Sequence, residues 1–449
     1  MRRSHYKARP ASRASVALVA TAAVLALTSC SSSGAGGEDD GANGEVTVQW
    51  WSWNPDEGSA GQYIEAFEKA HPNITVEHRF LQYTEYTNAL RLSVTSDSGP
   101  DVFGLQVGAL THAYAPLTED LAPYAQEEFG ADWADRLLTT DQLQVDGKQV
   151  GMPWTITAGG LLWYDKTLFD SLGLEPPTTL EEWKRVCATV QEQGIACLAH
   201  GAKDAWVNID LYQTILNQVQ PGALYDALDG TASFTDEPFV TAMKAYQELF
   251  TAGIVQEGAT GISEYPDASD MFRRGEAATI ALGTWENNTM TKTVLTRLSE
   301  ELDDPDVGER VFLPVPFPLV AGEHPEPGLF GGPDVGWAMS ARSDAKDAAW
   351  TFISWMTSQE EGQQLLANAT LQSAALKTVE IDASDVVTPE QEEALQWESK
   401  ALQNLVGPRQ IPNADVEQAL GQALSAVAAG TSEPAAALSD VQTVLESTR

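Results

Sequence analysis

Apolar positions along this chain switch repeatedly between a spacing of two and a spacing of three to four. Val46-Thr47-Val48-Gln49-Trp50 reads as a strand, and Ser52 to Gly61 as a turn-rich segment. Ile64, Phe67 and Ala70 then share one helical face, which Pro72 ends. Ile74, Val76 and Phe80 return to strand spacing. Tyr86, Ala89, Leu90 and Val94 make a second helix, closed by Ser98-Gly99-Pro100, and Asp101 to Leu105 a third strand. The alternation continues with a strand at Leu161-Leu162-Trp163-Tyr164. A helix follows Pro176-Pro177-Thr178-Thr179, with Thr179 and Glu182 spaced as a capping box. Phe239, Met243, Tyr246, Leu249 and Phe250 mark a long amphipathic helix, and Ala277 to Leu282 an apolar strand. Val311 to Pro318 is Pro-rich and extended; Ala348 to Met356, most of Glu390 to Leu405, and the Ala-rich stretch from Ala414 to Leu445 are helical. Strand and helix alternating in this way predict an α/β fold with a largely parallel sheet. No repeat recurs at a fixed period.

The first 44 residues follow a different pattern. Arg2, Arg3, Lys7, Arg9 and Arg13 precede an apolar run from Ala14 to Leu27, broken by Ser15 and Thr21, and then Leu27-Thr28-Ser29-Cys30. A basic start, a short apolar stretch and small residues at the break describe an export signal, residues 1–29, and not a spanning helix. The last four residues resemble the bacterial lipobox, which implies that Cys30 is lipidated after cleavage. Residues 31–44, SSSGAGGEDDGANG, are small, polar and acidic, and form a tether with a reach of about 20 Å. No later stretch offers about 18 consecutive apolar residues.

Charge changes the picture further. The 449 residues carry 26 Lys+Arg and 64 Asp+Glu, a formal net charge of −38. Removing the five basic residues of the signal moves this to −43 on the 420 residues that remain. So acidic a surface argues against nucleic acid and anionic lipid as partners. Beyond Cys30 there are two further cysteines, Cys187 and Cys197. In an oxidising compartment they suggest one disulfide, between a helix face shared with Leu180, Trp183 and Val190 and the strand after Gly194; two buried free thiols are the alternative.

Enzyme signatures are missing. His5, His71, His78, His112, His200 and His324 form no HxxxH or HExxH pair. There is no GxSxG elbow, no GxxxxGK[ST] loop and no dinucleotide fingerprint. No cofactor and no metal are expected. A glycosidase carboxylate pair stays possible among 64 acids.

The 13 tryptophans are more informative. Several fall where strands give way to loops, where open α/β sheets bind ligands. Indoles there offer a flat apolar face and one N–H donor, suited to a sugar ring. Trp53, Trp206 (in the polar loop Lys203-Asp204-Ala205) and Trp285 read as ligand-facing; Trp154 reads equally as ligand-facing or as part of a hinge. Trp163, Trp183, Trp350 and Trp355 lie within elements and read as core.

Ordered blocks along the chain resemble the family 1 extracellular solute-binding proteins, the receptors of ABC sugar importers such as maltodextrin-binding proteins. They are Val46–Trp53; Ser98-Gly99-Pro100-Asp101-Val102; Gly151-Met152-Pro153 with Leu162-Trp163-Tyr164-Asp165-Lys166-Thr167-Leu168-Phe169; Leu172 to Thr179; Phe272 to Trp285; and Gly331 to Ser340. Asp165 stands where Asn is usual, and Thr179-Leu180 where Thr-Trp is typical. The resemblance implies a two-lobed periplasmic-binding-protein-like (type II) fold with hinge strands and a ligand cleft between the lobes. Lobe 1 would comprise 45–155 and 312–372, lobe 2 156–311 and 373–449. Ser52, Trp53, Asp101, Gln106, Gly332 and Asp334 would face the cleft from lobe 1, and Thr157, Trp206, Trp285 and Asn287 from lobe 2. Asp101 reads equally as a strand-entry cap. Glu85 and Arg409 are further candidates.

The function implied is that of a monomeric, extracytoplasmic, lipid-anchored receptor, not an enzyme. It would bind a sugar or oligosaccharide and deliver it to ABC permease transmembrane subunits. A receptor for a cationic or peptide solute, or a secreted glycoside hydrolase, are the rival readings.

Overall fold

The computed structural model describes residues 45–449 apart from Asp97 and residues 325–327. The signal, Cys30 and the tether lie outside the described residues. Three sheets organise the rest. The first has the order β2-β1-β3-β13-β6, from β1 (Val46–Ser52), β2 (Ile74–Phe80), β3 (Val102–Leu105), β6 (Met152–Pro153) and β13 (Gly336–Met339). β1 runs parallel to β2 and β3, while β13 is antiparallel to β3 and β6. β4 (Gln144–Val145) and β5 (Lys148–Gln149) form a small hairpin before β6.

The second sheet has the order β11-β8-β10-β9, from β8 (Leu161–Asp165), β9 (Ala196–Ala199), β10 (Ala277–Ile280) and β11 (Phe312–Pro316). Only β9 and β10 are parallel in it. The largely parallel sheet expected does not form: parallel pairing is confined to β2-β1-β3 and β10-β9, because strands that return from the other side enter each sheet antiparallel. Between the two sheets lies a third, β12-β7-β14, from β7 (Thr155–Gly159), β12 (Phe330–Pro333) and β14 (Ser373–Ala374). Each of its strands joins an element of the first sheet's side to one of the second's. The chain therefore crosses between two lobes three times, through strands that are antiparallel neighbours. The second crossing is at Phe330–Pro333 and not at Phe312, because β11 pairs with β8 along all five of its residues.

Local chemistry explains where several helices begin. The helix Glu57–Ala70 starts inside the stretch expected to be turn, because the Asp56 carboxylate accepts from the N–H groups of Gly58 and Ser59 at 3.0 and 3.1 Å. At Leu180–Glu192 the Thr179 hydroxyl accepts from the Glu182 N–H. The Glu182 carboxylate reaches back to the N–H and hydroxyl of Thr178 instead of Thr179, so the box is displaced by one residue. Ala205–Val219 is also a helix, with Trp206 in its first turn. Val207 to Gln218 are all buried, so it has no polar face and shows no amphipathic period. The helices Glu237–Thr251 and Ala414–Ala428 pack against it in the second lobe's core, and Pro434–Ser447 packs on those two. Cys187 and Cys197 are joined by a disulfide, Cα–Cα 4.9 Å, which ties the helix Leu180–Glu192 to β9.

Among the described residues no helix is long and apolar enough to cross a membrane.

Candidate functional site

A cavity of about 400 Å³ opens between the lobes, a size typical of small-ligand sites. The first lobe lines it with Trp53, Asn54, Tyr83 and Gln106, from the segments that follow β1, β2 and β3. These are carboxyl ends of parallel strands, where the diverging loops leave a crevice. Trp53 is half-buried and meets the rings of Tyr83 and Tyr86 at 5.3 and 5.0 Å. The Tyr83 hydroxyl donates to the Gln106 side-chain oxygen, Oε1, at 2.7 Å. Burial pushes the Tyr83 phenol far above its ordinary range, so it stays a donor.

The second lobe contributes Trp206, Tyr265, Arg273, Trp285 and Glu286. Trp206 and Tyr265 lie with planes 8° apart and centroids 6.1 Å apart, and Trp285 stands edge-on to Trp206 at 6.3 Å. The Trp285 N–H donates to the Tyr265 hydroxyl at 3.0 Å, and that hydroxyl donates to the Glu286 carboxylate. Arg273 holds the other Glu286 oxygen at 3.1 Å. Gly283 is required beneath this cluster: a Cβ there would stand 2.1 Å from the Trp285 ring and 2.2 Å from the Ala158 carbonyl oxygen.

Arg409, 9% exposed, joins the two sides. Its guanidinium lies 4.0 Å from the Trp285 ring centroid and 5.2 Å from that of Trp206. It bonds Asp210 at 2.8 Å and Asp334 at 3.2 Å. Asp334 follows the crossing strand β12 and also receives Gln106 Nε2 at 3.4 Å. Burial pushes the carboxyls of Asp210 and Asp334 upward, and the Arg409 charge opposes this. The same two carboxylates, acting against its own burial, hold the guanidinium charged.

The family model for bacterial extracellular solute-binding proteins matches residues 52–363. The chain belongs to that family. An uncharacterized ABC transporter extracellular-binding protein of Pyrococcus horikoshii is 26% identical over 238 residues, 50% of this chain and 53% of that protein. The alpha-glucosides-binding periplasmic protein of Rhizobium meliloti is 24% identical over 184 residues, 38% of this chain and 40% of that protein. The chain thus spans about half the length of these curated relatives. Among solved structures, a chitin oligosaccharide binding protein superposes with TM-score 0.71 at 23% identity, over 89% of this chain and 98% of its own. A maltose-bound protein of T. maritima gives TM-score 0.70 at 20% identity, over 90% and 100%. These likenesses show the two-lobed periplasmic-binding-protein fold.

Within this family member the cavity gathers six of the residues expected at a site: Trp53, Gln106, Trp206, Trp285, Asp334 and Arg409. The other seven lie elsewhere. Ser52 is fully buried, its hydroxyl 2.7 Å from His78 Nε2. Glu85 is exposed on the helix Tyr83–Ser93 and is not part of the cavity wall. Asp101 caps: its carboxylate accepts from the Gln49 N–H at 2.9 Å and the Ser343 hydroxyl at 2.5 Å. Trp154 is fully buried between Tyr63 and Trp337. Thr157 is buried within β7 opposite Gly332, and a Cβ on Gly332 would strike the Gln142 side chain at 2.3 Å. Asn287 is buried, donating to the Leu371 carbonyl at 3.0 Å and to Glu398 at 2.6 Å.

Sequence reasoning missed Tyr83, Tyr265, Arg273 and Glu286. Tyr83 opens the helix after β2, a position equivalent to that of Trp53 after β1, and that was the available signal. Tyr265, in an irregular turn before the helix Ser269–Arg273, carried none.

Proposed function

We propose that this chain is the extracytoplasmic sugar-binding component of an ABC importer. One observation carries the reading: aromatic rings from both lobes face a cavity whose buried charges are already paired with one another. Glu286 is satisfied by Arg273 and Tyr265, and Asp334 by Arg409 and Gln106. Such a wall offers apolar faces and oriented donors with little free charge, the requirements of a neutral polyhydroxylated ring. A cationic or peptide solute would need unpaired carboxylates buried in the wall, whereas the lining carboxylate without an ion pair among the described residues, Glu57, is exposed. The alpha-glucosides-binding relative and the chitin oligosaccharide and maltose-bound structures support the sugar class.

In this reading Trp53 and Tyr83 engage one side of the ligand and Trp206 and Tyr265 the other. Trp285 acts mainly as a support, since Arg409 covers one of its faces and Gly283 underlies the ring. Lobe closure around the crossing strands buries the sugar and presents both lobes to a permease. Cys30 carries the lipid that keeps the receptor at the membrane, and the family is one of solute receptors, so no reaction is assigned to the cleft. Titration calorimetry against neutral mono- and oligosaccharides tests the proposal. Micromolar binding of at least one, about −8 kcal/mol, is expected. Silence toward all of them overturns the sugar class. Mass spectrometry of the membrane-extracted protein, with loss of the lipid in Cys30→Ala, tests the anchor.

A further inference from the structure

At the rim of the cavity an ion pair spans the two lobes. Arg297 lies on the second-lobe helix Lys292–Glu301 and grips the carboxylate of Asp56, at the start of the first-lobe helix Glu57–Ala70. The pairing is two-pronged, with Nη1 on Oδ1 and Nη2 on Oδ2, the latter at 3.2 Å. Both residues line the cavity. The guanidinium lies against the backbone of Gly58, where a Cβ would come within 2.6 Å of Nη1 and 3.2 Å of Cδ. Both side chains are about one-quarter to one-third exposed, which weakens screening without imposing the full desolvation cost of a buried pair.

Each partner also has company inside its own lobe. Asp56 accepts from Gly58 N–H, Ser59 N–H and the Ser59 hydroxyl at 3.0, 3.1 and 2.8 Å. Arg297 has Glu301 one helical turn away at 3.9 Å. Separating the lobes would therefore leave neither charge stranded: the carboxylate would remain a helix cap and the guanidinium an intrahelical partner.

We propose that Asp56–Arg297 is a reversible electrostatic latch that sets how often the unliganded cleft is closed. A contact made only in the closed state stabilises that state alone, and the local partners keep the open state accessible. Ligand affinity then contains the latch as a fixed contribution, independent of which sugar binds. The inference rests on closure of two lobes and not on the ligand's identity.

The experiment uses the full mature chain without ligand, spin-labelled once in each lobe, and reads the inter-lobe distance distribution by pulsed electron resonance. Asp56→Asn retains a capping oxygen and Arg297→Gln retains length, so the fold is expected to persist in both. Each should raise the open-to-closed ratio about three- to tenfold, and the double variant no further than either single one. Salt at 1 M should open the wild type and leave the double variant unmoved. Equal distributions in wild type and both single variants would overturn the latch, as would additive effects in the double variant. The sugar assignment can fail independently, because this measurement needs no ligand.

Discussion

Two groups of tryptophans in this protein show how one residue type serves opposite ends. In the first lobe, Trp50, Trp154, Trp337 and Trp355 are fully buried and pack edge-to-face among Tyr63, Phe67 and Phe352, at ring distances of 5.2–6.2 Å. None of their indole N–H groups has a hydrogen-bond partner among the described residues. Their contribution is area and shape. In the second lobe, Trp206 and Trp285 are half-buried, and the surroundings are ionic. Arg409 lies over both rings, 5.2 and 4.0 Å from their centroids, Trp285 uses its N–H, and the ring beside them is anchored through Glu286 to Arg273. Packing holds a core; charge and hydrogen bonds hold a surface that must stay partly open to water and still be rigid.

The comparison can be broken most severely in the core. Trp154→Ala should cost about 3–5 kcal/mol of stability through cavity formation. Under conditions where it remains folded, its sugar affinity should match wild type. Denaturant unfolding together with calorimetry checks both, and a selective loss of affinity would return Trp154 to the cleft. Arg409→Met is comparable in size but ionic in origin. It leaves Asp210 and Asp334 buried without their cation, costing about 3–5 kcal/mol. Because those carboxyls would then protonate, the loss should shrink as pH falls, which the Trp154 variant should not show. Trp206→Ala should leave the melting temperature nearly unchanged and weaken sugar binding by about 2–3 kcal/mol, thirty- to more than a hundredfold. An unaffected affinity would move the ligand to the first lobe's wall.

A pH dependence separates one buried carboxyl from two buried histidines. Burial raises Glu398 from 4.5 to about 8, with its partner Asn287 opposing the shift. Between those values the folded chain holds a proton that the unfolded chain has released. Glu398 therefore lowers stability progressively as pH rises from about 4.5 to 8, and no further above that. Burial lowers His78 and His200 from 6.5 to about 4, which has the opposite sign: stability falls as pH drops through that window. Glu398→Gln should be more stable than wild type at pH 8 and near equal at pH 4.5, as read by chemical denaturation.

Much of this was legible beforehand wherever one side of an element faces water. The strands at Val46, Ile74 and Val102, and the helices starting near Leu180 and Glu237, carry their period in the open. The helix Ala205–Val219 does not, because helices pack around it, and so the pattern places Trp206 in a loop. Trp53 and Trp154 follow β1 and β6 in the same way. Nothing local tells that the second strand sits beside β13 and aims its tryptophan into the core. Asn287 is similar: a short polar side chain in a turn suits a ligand, but here it satisfies a backbone carbonyl and a carboxylate of distant segments. For Asp101 the capping reading, open beside the ligand one in the sequence, is the role it takes.

The sequence by itself determined the periods of many elements and the α/β class, because each depends on neighbours within a few residues. It also nominated Trp53, Gln106, Trp206, Trp285, Asp334 and Arg409. Only the tertiary structure decided that these six share one cavity. Arg409 meets Asp210 across 199 positions and Asp334 across 75. Arg297 meets Asp56 across 241, on opposite lobes. Such pairings depend on how three crossing strands bring the two lobes face to face, and side-chain charge carries no record of which distant partner the fold will supply.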